Sequence, residues 1–154
     1  MKGNPQIIAA LIQRAIEEQT AIQQYWVQES VFTVAGYPKL AAMVKEHRED
    51  EQGHYESILY RLRELEAMPA GGLNPVDVGG ADVRDMFGVS LLAEEDAMAK
   101  YTETIALCES EGDFVTRDLL TGILKDERDH ARDLEAELAK IPAMTIQNYL
   151  SAQV

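Results

Sequence analysis

The sequence predicts an all-α fold, a four-helix bundle with one long crossover and a short fifth helix near the C-terminus. Three observations predict it. Ala, Leu, Ile, Glu and Met dominate a chain whose aromatics are only 6%, which is helix-former composition. Four stretches carry apolar residues at 3–4 spacing. The third observation is a register kept across three residue types: Glu127 follows Glu51 by 76 positions, Glu94 follows Glu18 by 76, and Tyr101 follows Tyr25 by 76. Such a register describes two copies of one helix pair facing each other.

The first helix opens at Asn4-Pro5, Asn as cap and Pro in the first turn. Ile8, Leu11, Ala15, Glu18, Ile22 and Tyr25 form its inward stripe, and Ala35-Gly36-Tyr37-Pro38 ends it after about Val34. The second helix begins near Pro38, with Leu40, Val44, His47, Glu51, His54, Ile58, Leu62 and Leu65 facing in. So short a connection makes these two helices antiparallel neighbours. Residues 67–82 hold two Pro and four Gly and form the one long irregular stretch. Extended, they reach about 50 Å, enough to run the roughly 40 Å length of such a helix, so the second and third helices are expected to be parallel.

Asp82 caps the third helix, whose stripe is Phe87, Leu91, Glu94, Met98, Tyr101, Ile105 and Cys108, and Glu111-Gly112-Asp113 closes it. The fourth starts around Phe114 to Thr116, turns Leu120, Leu124, Glu127, Ala131, Leu134 and Leu138 inward, and is expected to stop at Pro142. Thr145 to Ala152 suits one short helix docked on the bundle or on another subunit, being too short to fold alone. Met43, Met86 and Met98 read as core filler. Residues 1–154 are expected to form a single domain.

A formal charge of −13 argues against nucleic acid and anionic membrane surfaces as partners and suits attraction of cations. The single cysteine, Cys108, excludes an internal disulfide and suits a reducing, cytoplasmic setting. Residues 1–20 lack the apolar run of a signal peptide, and no stretch reaches the roughly 18 apolar residues of a membrane span.

The chemistry lies in Glu51-Gln52-Gly53-His54 and Glu127-Arg128-Asp129-His130. Each puts a carboxylate three residues before an imidazole, one turn apart on one helix face, so each can offer an oxygen and a nitrogen to one metal ion. Glu18 and Glu94 occupy stripe positions among apolar neighbours, where an uncompensated carboxylate costs several kcal/mol. No Arg or Lys falls on the stripes near these acids. Four carboxylates with neutral His54 and His130 sum to −4, which two divalent cations balance. Oxygen-rich donors with one imidazole per ion suit iron or manganese, and zinc less specifically. Tyr25 and Tyr101 lie two turns beyond Glu18 and Glu94 and are placed to hydrogen-bond the carboxylates. Glu17 and Glu95 fall off the stripe and are expected in solvent.

These residues resemble those of bacterioferritins, members of the ferritin-like superfamily. The resemblance is carried by Met1-Lys2-Gly3-Asn4-Pro5, Ala21-Ile22-Gln23-Gln24-Tyr25, Asp50-Glu51 through His54, Asp118-Leu119-Leu120, Asp126-Glu127 through His130, and Gln147-Asn148-Tyr149-Leu150. It implies a ferritin-like bundle with a di-iron ferroxidase centre. Glu51 and Glu127 would bridge two irons, Glu18 with His54 would complete one, and Glu94 with His130 the other. It implies catalytic roles for Glu18, Glu51, Glu94, Glu127 and Tyr25. It also implies a hollow homo-oligomer of 24 subunits that oxidises Fe²⁺ with O₂ or H₂O₂ and stores ferric mineral.

The chain departs from that pattern in three places. The family's haem-ligand methionine is replaced by Gln52, a poor axial ligand, so a homo-oligomer is expected to lack haem; a mixed shell with a haem-binding paralogue is the alternative. Polar residues of an entry pore are replaced by Val34, Arg132 and Ala136. An inner-surface histidine at position 46 is replaced by Glu46, with His47 beside it and Asp50 one turn on; Glu46 and Asp50 read as a solvated face. Two other functions compete: a non-storage di-iron or di-manganese peroxidase or oxidase of the same superfamily, against which the shell-contact-like tail argues, and a low-turnover structural subunit of a mixed shell.

Overall fold

A computed structural model describes residues 2–154. Five helices follow one another: α1 (Pro5–Ala35), α2 (Pro38–Glu64), α3 (Val83–Ser110), α4 (Phe114–Met144) and α5 (Ile146–Ser151). Local chemistry sets most of their ends. The Asn4 side chain accepts from the Gln6 amide at 2.8 Å, and Asp82 accepts from the Arg84 amide at 2.7 Å. Gly36 ends α1 at φ 80, where a side chain would be strained.

Contacts across the bundle fix the directions. Tyr25 meets Glu94 and Tyr101 meets Glu18, so α1 and α3 are antiparallel. Arg48 meets Glu29, and the Gly3 amide before α1 donates to the Leu65 carbonyl after α2, so α1 and α2 are antiparallel too. The second and third helices are therefore parallel, as the crossover length requires. That crossover is tied along α1: Thr20 Oγ1 accepts from the Asn74 amide at 3.0 Å, and the Gln28 amide group donates to the Val78 carbonyl at 3.3 Å.

The apolar core is split in two. One cluster holds Ile7, Leu11, Ile58, Leu62, Cys108 and Leu120, and the other Phe32, Leu40, Val44, Phe87, Leu134 and Tyr149. The buried acids and imidazoles lie in the layer between. Four stripe positions differ by one residue from expectation: Ile7, Ser90, Thr104 and Ile123 are buried, while Ile8, Leu91, Ile105 and Leu124 are half-buried. In each pair both residues border the core, and the backbone's rotation decides which goes deeper. Of the methionines, Met86 is buried, while Met43 and Met98 are half-buried at the core edge.

Pro142 does not stop α4, which continues through it to Met144. The break comes at Thr145, whose φ of 65 turns the chain into α5. A proline in the last turn removes a hydrogen bond that is already near the fraying end, and fully buried Ile141 anchors that turn. The short helix docks on its own bundle. Tyr149 is buried and donates to Glu137 Oε2 at 2.6 Å, and Lys39 Nζ donates to the Ala152 carbonyl at 2.8 Å.

The α3–α4 turn is locked by Asp113, which accepts from the Thr116 amide at 3.0 Å and from Arg61 Nη2 at 2.9 Å. Burial pushes its carboxyl up, but Thr116 and Arg61 outweigh that and hold it below the ordinary value of 3.8. Asp113→Ala is expected to cost about 1–2 kcal/mol of unfolding free energy at neutral pH, as cap losses do. Because the folded-state pKa is depressed, this contribution is present above pH 3.8 and fades as pH falls through the lowered value. Denaturant melts of both proteins at pH 7 and pH 3 check it: the gap should shrink at the lower pH.

Candidate metal centre

Helical spacing brings the predicted residues to one place. Glu18, Glu51, His54 and Glu127 present ligand atoms all within 4.8 Å of one another, and so do Glu51, Glu94, Glu127 and His130. Glu51 and Glu127 belong to both groups. All six residues are buried. The 76-residue register is thus a two-fold relation in space, with one carboxylate–imidazole pair on each side of a shared pair of acids.

Each imidazole has a defined orientation. His54 Nδ1 faces the acids, 3.0 Å from Glu51 Oε2, 3.2 Å from Glu127 Oε1 and 3.5 Å from Glu18 Oε2. Its Nε2 lies 3.1 Å from Asp126 Oδ2. His130 repeats the pattern, with Nδ1 3.3 Å from Glu51 Oε1 and Nε2 3.1 Å from Asp50 Oδ2. A carboxylate beyond Nε2 holds the proton there and leaves the Nδ1 lone pair for a metal. Asp50 and Asp126 therefore act on the site from its edge. Asp50 is exposed, as the solvated-face expectation has it, yet its carboxylate is also spent on His130. The signal was in the sequence: each aspartate directly precedes a core glutamate, and the two are 76 residues apart.

Tyr25 donates its hydroxyl proton to Glu94, and Tyr101 donates to Glu18. Burial first, and then the charges of Glu94 and Glu18 respectively, raise both phenols far above their ordinary value, so both remain donors. Each outer carboxylate is held by the tyrosine of the opposing helix.

In the metal-free site, protons substitute for cations. Burial, then repulsion from Glu51 and Glu127, raises Glu18 and Glu94 well above ordinary carboxylates. Burial opposes charge on the imidazoles, but the carboxylates of Glu127 and Glu51 that face Nδ1 override it and push His130 up to about 12. His54 is raised the same way by Glu127, Glu18 and Glu51. Burial would raise Glu51, but His130 and His54 outweigh it and hold that carboxyl low. Even so, Glu18 Oε2, Glu127 Oε1 and His130 Nδ1 are buried without a hydrogen-bond partner. Orphaned donor-type and acceptor-type atoms converging on one point cost free energy unless a cation joins them. The set therefore fits a pair of metal ions.

Two arginines are buried near the centre, which stripe counting missed. Arg14 lies one turn before Glu18, but its guanidinium is taken by Glu17 at 2.7 Å and reaches Thr104 at 3.4 Å. Arg48 is taken by Glu29 at 2.8 Å and Gln52 at 2.8 Å. Neither neutralises the four central acids. Glu17, expected in solvent, is half-buried between Arg14 and Lys100, while Glu95 is exposed. A cavity of about 290 Å³ lies between α1, α3 and the crossover, and extends from Glu17, Asp96 and Lys100 to Glu18, Glu94 and Glu127.

In the sequence His47 is a residue of the inward stripe of α2, next to Glu46. It is buried, its ring stacks on His130 with centroids 4.2 Å apart and planes at 25°, and the edge of Tyr25 meets it at 5.4 Å. Burial and neighbouring His130 hold its pKa down to about 4.

Comparison with known proteins agrees with this geometry. The profile of a family described as the ferritin-like domain matches residues 8–144. A bacterial ferritin of Pseudomonas aeruginosa is 35% identical over 156 residues, covering 100% of both chains. A bacterial ferritin of Synechocystis sp. is 35% identical over 156 residues, covering 100% of this chain and 99% of the relative. A bacterioferritin of Brucella melitensis is 29% identical over 150 residues, covering 97% of this chain and 92% of the relative.

Proposed function

The chain belongs to the ferritin-like family, and from that premise we propose that it is an iron-storage ferroxidase of bacterioferritin type. One observation carries the reading: two buried ligand groups that share Glu51 and Glu127, with orphaned polar atoms aimed between them. The substrate is Fe²⁺. Glu18 with His54 receives one ion, Glu94 with His130 the other, and Glu51 and Glu127 bridge them.

The reaction takes one electron from each Fe²⁺. With O₂, two Fe²⁺ and two protons give two Fe³⁺ and one H₂O₂; with H₂O₂, two Fe²⁺ and two protons give two Fe³⁺ and two H₂O. The protein's part is electrostatic and positional. Four carboxylates favour the product ions, whose charge is higher. Asp126 and Asp50 keep the Nδ1 lone pairs aimed inward, and Tyr25 and Tyr101 fix the rotamers of Glu94 and Glu18. The apolar clusters on either side exclude bulk water.

The single ferritin-like unit, residues 1–154, is proposed to assemble into a closed homo-oligomeric shell of 24 subunits with ferric mineral inside. Exposed Trp26, Val27, Tyr60 and Leu73 on α1, α2 and the crossover supply apolar surface for such contacts. Position 52 supplies no haem ligand: the Gln52 amide oxygen accepts from Arg48, whose guanidinium also lies 5.1 Å from the Trp26 ring centre. Haem in the assembly would have to come from a paralogue's methionine in a mixed shell. No described helix is long and apolar enough to cross a membrane, and a cytoplasmic setting accords with the lone buried Cys108.

The direct test loads metal-free protein with two Fe²⁺ per chain without oxygen, then admits air. The expected result is a rise in ferric near-ultraviolet absorbance well ahead of a protein-free control. A rise no faster than that control overturns the reading.

A further inference from the structure

We propose that His47 and Asp133 hold a third divalent cation beside the two-metal centre, on the His130 side alone. The proposal goes beyond the ferroxidase reading and uses none of its six ligands. His47 is 2% exposed, and neither of its ring nitrogens has a hydrogen-bond partner. An imidazole buried that deeply with both nitrogens unused is costly. Its Nε2 stands 3.5 Å from Asp133 Oδ2, at a geometry that makes no hydrogen bond. Two donor atoms each about 2.1 Å from one tetrahedral ion lie about 3.4 Å apart. The pair is thus spaced as ligands of one cation.

The surroundings suit the same occupant. His47 and Asp133 line a cavity of about 270 Å³ together with Glu46, Asp50, Asp129 and His130. The one cationic side chain at its wall, Arg132, is drawn to Asp129 at 3.0 Å. Water completes the coordination, and Glu46 and Asp50 compensate the charge from the rim. The ring faces of His47 and His130 are in contact, so an ion here sits one imidazole away from the Glu94–His130 position.

The internal two-fold singles this place out. Every element of the dinuclear site has its counterpart 76 residues away, Asp50 and Asp126 included. The counterpart of His47 is buried Ile123, and that of Asp133 is Ser57. A purely structural filler in this layer could have been isoleucine, as it is on the other side. The His54 half has no such site, so the two metal positions differ in what stands behind them.

Zn²⁺, which cannot be oxidised, is the probe. Metal-free assembled protein is titrated calorimetrically, alongside His47→Gln and Asp133→Asn; Asp133 is exposed, so its replacement does not disturb the core. The expected result is three tight equivalents per chain in the parent and two in each variant, with anomalous density beside the His47 ring in zinc-soaked crystals. Saturation at two equivalents in the parent overturns the third site and leaves the dinuclear reading intact. A third equivalent that survives both substitutions overturns the assignment to these residues. Loss of all tight binding in the parent overturns both.

Discussion

Glu94→Gln is expected to abolish rapid iron oxidation while leaving the metal-free protein as stable as the parent, or more so. Gln matches the volume of Glu and its amide oxygen still accepts from Tyr25, so packing is preserved. On the proposed assignment, what is lost is one anionic ligand of the Glu94–His130 position. Replacement of an outer-shell partner alone costs ten- to a hundredfold in metal affinity or activity, so removal of a direct ligand should cost at least about a hundredfold in oxidation rate. The metal-free site carries the opposite bias. Glu94 is buried, and burial with repulsion from Glu51 and Glu127 already disfavours its charged form, so a neutral amide removes a destabilising term. Stopped-flow absorbance and a thermal melt of the metal-free variant measure the two halves. A variant that oxidises iron at the parent rate would sink the ligand assignment. One that melts far lower than the parent would show that Glu94 serves the fold instead.

Metal loading is the second large effect. At free metal about a hundredfold above Kd, each site adds about 2.7 kcal/mol, so the two positions of the dinuclear centre by themselves add about 5 kcal/mol. For a chain of this size each kcal/mol is worth roughly 2–4 °C, which predicts a Tm increase of about 10–20 °C with Zn²⁺ or Co²⁺. The same loading should release protons. His54 and His130 have raised pKa values in the metal-free protein, His130 up to about 12, and Glu18 and Glu94 are raised too. His54 and His130, raised in this way, carry protons at neutral pH that the metal must displace. Affinity therefore falls as pH falls and rises toward the imidazole pKa values. Zn²⁺ added to weakly buffered metal-free protein should acidify it, and the metal-induced Tm increase should be larger at pH 8 than at pH 6. Equal increases at both, without acidification, would mean the ions bind elsewhere.

The two expectations draw on different parts of the chain, and so does their legibility. Glu18, Glu51, His54, Glu94, Glu127 and His130 could be read from the sequence because charge on an apolar stripe is unusual and helical periodicity dictates which residues share a face. The roles of Asp50 and Asp126 were harder to see. Each lies on a helix edge where an acid is ordinary, and only the approach of α2 to α4 shows that it reaches the opposite histidine. Arg14 and Arg48 lie off the stripes, and only the structure shows that they are buried and that Glu17 and Glu29 take their charge. Pro142 misled because its local penalty is real, whereas buried Ile141 and the docked Tyr149 are non-local.

By itself the sequence determined the helices, the parallel second and third members of the bundle, the layer of acids and the pairing of each carboxylate with an imidazole one turn away. These follow from periodicity, chain length and the cost of burying charge, all of which are local or additive. Tertiary structure alone decided which nitrogen of each imidazole faces the acids, and that His47 sits against His130 with no hydrogen-bond partner. Those are matters of distance and direction between helices far apart in the chain, set by the packing of all five at once.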